Sequence, residues 1–176
     1  ASPQAVEAVI EYFEDTNALL VVDPVMGDNG ELYDGFDGEL CAQVKRLACL
    51  ADVITPNETE LMQLSGEKDA EKAAHMMLGK GNRAVVLTGV EQGGMIGSTV
   101  YTQNERKTFL APKRGGYFSG TGDIFSAVLT GMMLKGKSVF DAAQLAGEFV
   151  SNVISVTDEK NAQEGVDFEK RLGDLV

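Results

Sequence analysis

The sequence predicts an α/β protein in which helices cover a mostly parallel sheet. Short, continuously apolar runs alternate along the chain with helical segments, and such runs are typical of strands that are buried on both faces. One later stretch instead has the pattern of an antiparallel hairpin. The chain has 176 residues, which suits one domain with a substantial core, so we expect a single domain over residues 1–176.

Each element follows from a local pattern. The first helix, for example, has apolar residues on one face at Val6, Val9, Ile10 and Phe13. Helices are expected over residues 3–15, 39–50, 58–65, 68–78, 124–135 and 138–155. Strands are expected over residues 18–22, 52–54 and 83–88, followed by a hairpin over residues 95–101 and 107–111. Gly89 is expected to end the third strand, and the polar tail from Thr157 is expected to fray.

Composition excludes several classes of function. The formal charge of −12 argues against nucleic acid and against an anionic membrane surface as partners. No apolar run approaches the roughly 20 residues that span a bilayer, and the start of the chain lacks a signal-peptide pattern. Cys41 and Cys49 lie in one apolar helical segment, which indicates two buried thiols and not a disulfide or a metal pair. A cytoplasmic location is therefore expected.

A glycine-rich loop before the fifth helix is the strongest candidate for chemistry. Gly120 and Gly122 flank Thr121 and allow the backbone to approach an anion closely. The N–H groups that open the following helix lack intrahelical partners, so the loop and the helix start together are suited to bind a phosphate. Asp123 would repel phosphate, and it better suits a base that accepts a proton from an attacking hydroxyl. The alternative is that Ser119, Thr121 or Asp123 merely caps the helix.

Polar residues also follow three predicted strands, at Asp23, at Thr55 with Asn57, and at Thr88. Ligands of open α/β sheets gather at the carboxyl ends of the strands, so one common rim is expected. Asp23 and Asp28 lie on either side of a turn, and Mg²⁺ takes oxygen ligands of this kind. The alternative is an ordinary strand exit followed by a turn aspartate.

The segment TPNETE at residues 55–60 has a structural and a functional interpretation, and both can hold together. Asn57 as N-cap with Glu60 three residues later is the pattern of a capping box. A helix that starts beside a strand end would also aim Glu60 at a metal-bound water. Lys113 and Arg114 suit either nucleotide phosphates or solvent. His75, in mid-helix, is expected to be a packing or surface residue.

Three motifs, in this order and spacing, resemble those of the pyridoxal kinases of the ribokinase-like superfamily. They are DPVMGD at residues 23–28, TPNETE at residues 55–60 and GTGD at residues 120–123. The resemblance covers nearly the whole chain, from Val21 to about Ile154. It implies a three-layer α/β/α sandwich.

The resemblance also implies an activity, which is the ATP-dependent phosphorylation of the hydroxymethyl group of pyridoxal, pyridoxine or pyridoxamine. Asp123 would be the base, and Gly120, Thr121 and Gly122 would form the anion hole. Asp23 and Glu60 would orient Mg²⁺ and its waters. The ATP side would be lined by Asp28, Thr55, Asn57, Thr88 and Gly89. A monovalent cation such as K⁺ and a homodimer are also implied.

Two alternatives remain open. Hydroxymethylpyrimidine kinases share the Asp-Pro-Val-Met and Thr-Pro-Asn stretches, but they usually carry cysteine at the position of Asp123 and lack an aspartate at the position of Asp28. Family members also carry roughly a third more chain before Ala1, so this chain resembles their C-terminal two thirds. That shortfall favours a non-catalytic nucleotide-binding module, and a sheet cut in this way is expected to expose an edge and an apolar face.

Overall fold

The computed structural model describes residues 2–116, 118–158 and 164–175. Contacts along the chain separate two compact units. The first unit comprises Ala1–Thr88 and Tyr101–Arg106, and the second comprises Gly89–Val100 and Lys107–Val176. A single domain over the whole chain stays a prediction.

Helices alternate with strands along the chain, as the sequence predicts. The helices are α1 (Pro3–Glu14), α2 (Gly38–Leu50), α3 (Glu58–Ser65), α4 (Ala70–Leu78), α5 (Thr121–Leu134) and α6 (Val139–Val156), followed by a 3₁₀ helix over Phe168–Leu175. The strands are β1 (Val21–Val22), β2 (Gly27–Asp28), β3 (Glu31–Leu32), β4 (Val53–Ile54), β5 (Ala84–Gln92), β6 (Met95–Tyr101) and β7 (Arg106–Pro112).

The main sheet has five strands in the order β1-β4-β5-β6-β7. The pairs β1–β4 and β4–β5 are parallel, with Val53 opposite both Val21 and Ala84. The predicted hairpin forms the other side, where the hydroxyls of Thr99 and Thr108 lie 2.9 Å apart. The α/β class, with a parallel sheet and an added antiparallel hairpin, is confirmed.

Each unit has its own apolar interior. In the first, the parallel strands are buried on both faces, as their apolar runs predict, and Val53 and Val85 are 1% and 0% exposed. In the second, α5 and α6 pack together, and Leu129 and Val153 are both 0% exposed. Among the described residues, none of the helices is long and apolar enough to cross a membrane.

Several expectations about element boundaries are wrong. Gly89 does not end β5, since the strand continues to Gln92. Gly89 itself has a left-handed φ of 70° within the strand. The loop after Asp23 contains the small antiparallel pair of β2 and β3, which was not expected. Helix α5 begins at Thr121 and not at Ile124.

Two further expectations need correction. The tail expected to fray instead contains the 3₁₀ helix, which packs on α6. Cys41 and Cys49 are free thiols, as expected, but both are partly exposed and not buried.

Candidate active site

In the first unit, the start of α3 is built around Glu60, a carboxylate that is only 3% exposed. Its Oε2 accepts a hydrogen bond from the Asn57 backbone N–H at 2.9 Å, and Asn57 Oδ1 accepts one from the Glu60 N–H at 3.0 Å. This reciprocal pair is the capping box that the sequence predicts, and it satisfies two donors that a helix start leaves unpaired.

The other oxygen of Glu60 ties the helix to the loop that follows β1. Glu60 Oε1 accepts a hydrogen bond from the Met26 N–H at 2.8 Å. Asn57 Nδ2 donates to the Gly27 carbonyl at 2.8 Å, and the Gly30 N–H donates to Thr59 Oγ1 at 2.8 Å. Three hydrogen bonds between distant parts of the sequence therefore hold residues 26–30 against the start of α3.

The electrostatics of Glu60 reflect this position. Burial raises the pKa of its carboxyl above the ordinary value of 4.5, and the negative charge of Asp23 adds to the rise. The backbone N–H donors of Asn57 and Met26 act in the opposite direction but do not cancel the effect of burial on the pKa. The two carboxylates predicted for a metal, Asp23 and Glu60, therefore interact electrostatically.

Asp23 and Glu60 fit a magnesium ion of the kind that accompanies nucleotides. Mg²⁺ is usually held by one or two carboxylates together with phosphates, and it keeps several waters. Both Glu60 oxygens already accept backbone hydrogen bonds, so their remaining lone pairs suit a metal-bound water better than a direct bond to the metal. In the part of the chain that the structure describes, no three or more His, Cys, Asp or Glu side chains gather into a metal cluster.

The residues of the first unit that are predicted to contact ATP make some of their hydrogen bonds within the protein. Thr55 is 2% exposed, and its N–H donates to the Val22 carbonyl at 3.0 Å. Both the N–H and the hydroxyl of Thr88 donate to the Pro56 carbonyl, at 2.9 and 3.3 Å. Thr55 thus directly follows β4, as predicted, whereas Thr88 lies within β5 and not at its end, because that strand continues to Gln92.

Asp28 and Gly89 lie in different surroundings. Asp28 is partly exposed in β2, and both of its carboxylate oxygens accept hydrogen bonds from Asn29, one from the backbone N–H at 2.8 Å and one from Nδ2 at 3.1 Å. Gly89, at the start of the second unit, is exposed. Neither residue shares a described hydrogen bond with Glu60 or Asn57.

In the second unit, the GTGD motif forms the start of α5. Gly120 is the N-cap with a left-handed φ of 81°, and within the described residues no side chain makes the capping hydrogen bond. Capping by Ser119, Thr121 or Asp123, the alternative that the sequence left open, is therefore wrong. Within the described part of the chain, the first turn of α5 therefore has no side-chain cap, which suits it to an anion.

Asp123 is the third residue of α5, and it is exposed. It stands at one end of an apolar groove of about 530 Å³ that runs between α5, α6 and the 3₁₀ helix. Ala127, Gly131, Phe149 and Phe168 are among the residues that line this groove. Asp123 thus belongs to the first turn of a helix that has no side-chain cap among the described residues, and it is exposed.

The remaining candidates have ordinary roles in the described structure. Lys113 Nζ lies 2.6 Å from Glu91 Oε1, in an exposed ion pair. His75 is exposed, and its ring contacts that of Tyr101 edge to face, with 6.3 Å between the ring centroids. His75 is therefore a surface residue, as the sequence predicts.

Sequence reasoning missed three residues that shape the first site. Met26 donates its N–H to Glu60, Thr59 accepts the Gly30 N–H, and Val25 has a left-handed φ of 44°. A left-handed conformation is unusual for a β-branched residue, and no local pattern predicts it. The hydrogen bonds of Met26 and Thr59 join segments that lie about thirty residues apart in the sequence, which local patterns do not show.

The fold is that of kinases with a ribokinase-like architecture. The crystal structure of pyridoxal kinase from Lactobacillus plantarum superposes with a TM-score of 0.88 at 29% identity, over 99% of this chain and 67% of that one. Pyridoxal kinase from Leishmania donovani, in complex with ADP and pyridoxamine, gives a TM-score of 0.82 at 25% identity, over 98% and 65% of the two chains.

The chain belongs to the phosphomethylpyrimidine kinase family, whose model matches residues 1–167. Pyridoxal kinase of Arabidopsis thaliana is 33% identical over 164 residues, which are 86% of this chain and 52% of that protein. The chain thus spans about half the length of this relative. The resemblance to pyridoxal kinases that the motifs indicate is confirmed.

Proposed function

We propose that the protein transfers the γ-phosphoryl group of ATP to the hydroxymethyl group of a B6 vitamer, which is pyridoxal, pyridoxine or pyridoxamine. The observation that carries this proposal is the start of α5. Its N-cap is Gly120 in a left-handed conformation, no described side chain caps the helix, and the exposed Asp123 lies in its first turn. Its similarity to pyridoxal kinases, one of them in complex with ADP and pyridoxamine, supports the choice of substrates.

Asp123 would accept the proton of the vitamer hydroxyl as its oxygen bonds to the γ-phosphorus and the bond to the β-phosphate oxygen breaks. The transition state of phosphoryl transfer is loose, so positioning and charge neutralisation supply most of the catalysis. The backbone N–H groups of Gly120, Thr121 and Gly122 would surround the transferring group. A general base typically contributes about 10²–10⁴-fold to the rate.

Asp23 and Glu60 would hold Mg²⁺, largely through its waters, and the ion when bound neutralises charge on the ATP phosphates. Glu60 would act through the oxygens that already accept backbone N–H groups, and Asp23 would supply the second carboxylate. The remaining contacts to ATP would come from Asp28, Thr55, Asn57, Thr88 and Gly89. K⁺ as a second cation, a homodimer and a cytoplasmic location are part of the same proposal.

A hydroxymethylpyrimidine kinase is the second candidate, because the matching family is named for phosphomethylpyrimidine kinases. Asp123 argues against it, since the resemblance implies a cysteine there in that branch. A non-catalytic nucleotide-binding module is the third candidate.

The test measures ADP and phosphorylated product with ATP and Mg²⁺, with pyridoxal and hydroxymethylpyrimidine offered separately and in competition. The 176-residue chain is assayed beside a version extended at its N-terminus to the length of its relatives. Turnover of pyridoxal by the extended form is the expected result. Turnover of hydroxymethylpyrimidine alone would assign the other branch, and ATP binding without turnover in both forms would assign a binding module.

A further inference from the structure

The turn between β2 and β3 contains the single Asn-Gly pair of the sequence, Asn29 followed by Gly30. Asp28 pairs with Glu31 across the hairpin, so these two residues alone form its loop. Both have a left-handed backbone, with a φ of 52° at Asn29 and 86° at Gly30. Positive φ at both central residues is the pattern of a type I′ turn, for which Asn-Gly is a strongly preferred sequence.

The same pair of residues is chemically labile. The backbone nitrogen that follows an asparagine can attack the side-chain Cγ of that asparagine, and a glycine at the second position hinders the attack least because it has no Cβ. Asn29 and Gly30 are both exposed, and a Cβ at Gly30 would meet nothing within 4 Å. Solvent therefore reaches this turn.

The nitrogen that would react is engaged by another part of the fold. The Gly30 N–H donates a hydrogen bond to Thr59 Oγ1 at 2.8 Å, across 29 positions of the sequence. Thr59 lies in the first turn of α3 and is 8% exposed, so the helix fixes the position of its hydroxyl. The nitrogen must leave this bond before it can lose its proton and turn toward the asparagine side chain, which costs free energy.

The asparagine side of the turn is held as well. Asn29 Nδ2 donates to Asp28 Oδ2 at 3.1 Å, and the Asn29 backbone N–H donates to Asp28 Oδ1 at 2.8 Å. The side-chain carboxamide is thus bound to the residue that precedes it and not to the nitrogen that follows it. This contact is exposed, whereas the Thr59 contact is partly buried, so the Thr59 hydroxyl is the better-shielded of the two restraints.

We propose that Asn29 is a site of spontaneous deamidation and that the Thr59 hydroxyl protects it in the folded protein. In the reaction, the Gly30 nitrogen loses its proton and bonds to Asn29 Cγ, the bond from Cγ to Nδ2 breaks, and Nδ2 leaves as ammonia. Water then opens the succinimide at either carbonyl, which gives aspartate or isoaspartate. Both products replace a donor beside Asp28 by a carboxylate, and isoaspartate also adds a methylene group to the main chain of the hairpin.

The test compares Thr59→Val with the wild type, in the chain extended to the length of its relatives and incubated at mildly alkaline pH. Peptide mapping by mass spectrometry gives the rate and the position of deamidation. Valine has the shape of threonine without the hydroxyl, so the Gly30 N–H loses its acceptor. The rate at Asn29 is expected to rise severalfold, together with hydrogen exchange of the Gly30 amide. Thr59→Ser, which keeps a hydroxyl, is expected to deamidate at close to the wild-type rate.

The wild type unfolded in guanidinium chloride gives a comparison that depends on no variant. It lacks the contact between Gly30 and Thr59, so deamidation at Asn29 is expected to be severalfold faster than in the folded protein. Equal rates in the two states would overturn the protection by the fold, and this comparison decides the inference if Thr59→Val does not fold. A folded Thr59→Val protein that deamidates no faster than the wild type would overturn the role of Thr59. None of these measurements requires kinase activity.

Discussion

At the scale of single residues, Glu60 combines a structural and a proposed chemical role. Its two oxygens accept the N–H groups of Met26 and Asn57, which belong to segments about thirty residues apart. A carboxylate can do this because it offers acceptors only, with two lone pairs on each oxygen. The same side chain that would orient metal-bound water thus also fixes the loop that carries Asp23 and Asp28.

The first prediction concerns the stability that these bonds supply. Glu60→Gln replaces one oxygen by an NH₂ group, which would face a backbone N–H and leave it without an acceptor. We expect the free energy of unfolding to fall by about 1–3 kcal/mol, measured by urea denaturation. Glu58→Gln is the matched control, because Glu58 lies exposed in the same first turn of α3. An equal loss in both variants would contradict the structural role of Glu60.

The second prediction concerns pH. Burial, with the charge of Asp23, raises the pKa of Glu60 above its ordinary value of 4.5, so the folded protein keeps this proton to a higher pH than the unfolded chain. The stabilisation from the protonated carboxyl is complete below the unfolded pKa and is lost as the pH rises through the folded pKa.

The free energy of unfolding of the wild type, relative to Glu60→Gln, should therefore decrease as the pH rises above 4.5. Urea denaturation of both proteins at a series of pH values, without Mg²⁺, gives this difference directly. A difference that grows with pH would mean that the hydrogen bonds, and not burial, dominate the folded pKa.

At the scale of elements, the start of α5 is set by one glycine. Gly120 has a φ of 81°, and a Cβ at this position would meet nothing within 4 Å. Gly120→Ala should therefore destabilise the second unit through the backbone alone, by about 1–2 kcal/mol. Thermal or urea denaturation measures the change in free energy of unfolding.

Gly131→Ala is the matched control for this third prediction. Gly131 lies within α5, where an added Cβ also meets nothing within 4 Å. Alanine is the better helix former, so this variant should be at least as stable as the wild type. A stable Gly120→Ala protein would mean that the left-handed N-cap does not determine how the helix begins.

The elements that sequence patterns predict well are those with a strong local signal. Three elements lie within a few residues of their predicted bounds, namely the strand containing Val85, the hairpin and α6. Their patterns of burial and periodicity involve residues that are close together in the sequence. The pair of β2 and β3 was missed because each strand has only two residues, and β2 is held by contacts with α3. The end of β5 was predicted wrongly at Gly89. Glycine more often marks the end of a strand than a left-handed position within one.

At the scale of the whole molecule, the sequence predicts the family better than the details of its site. Asp23 and Glu60 could be predicted to lie together, because parallel strands end at one edge of a sheet. The hydrogen bond of Glu60 to Met26 and the strain at Val25 depend on how a loop meets a helix about thirty residues later. No short-range pattern contains that information. The role of Asp123 as a base stays a prediction.

The length of the chain determines how its function must be tested. The superposition on the Lactobacillus plantarum kinase covers 99% of this chain but only 67% of that kinase. An assay of the 176 residues alone therefore tests this portion, whereas an assay of the extended chain tests the enzyme. Both are needed before a lack of turnover is assigned to the residues discussed above.

The central claim, that Asp123 is the base of a B6 kinase, is tested most directly by two matched variants in the extended chain. Asp123 and Asp141 are each the third residue of a helix, and both are exposed. Asp123→Asn should lower kcat with pyridoxal by about 10²–10⁴-fold, whereas Asp141→Asn should leave it unchanged, with similar melting temperatures for both. An Asp123→Asn protein that phosphorylates pyridoxal at the wild-type rate would contradict the claim.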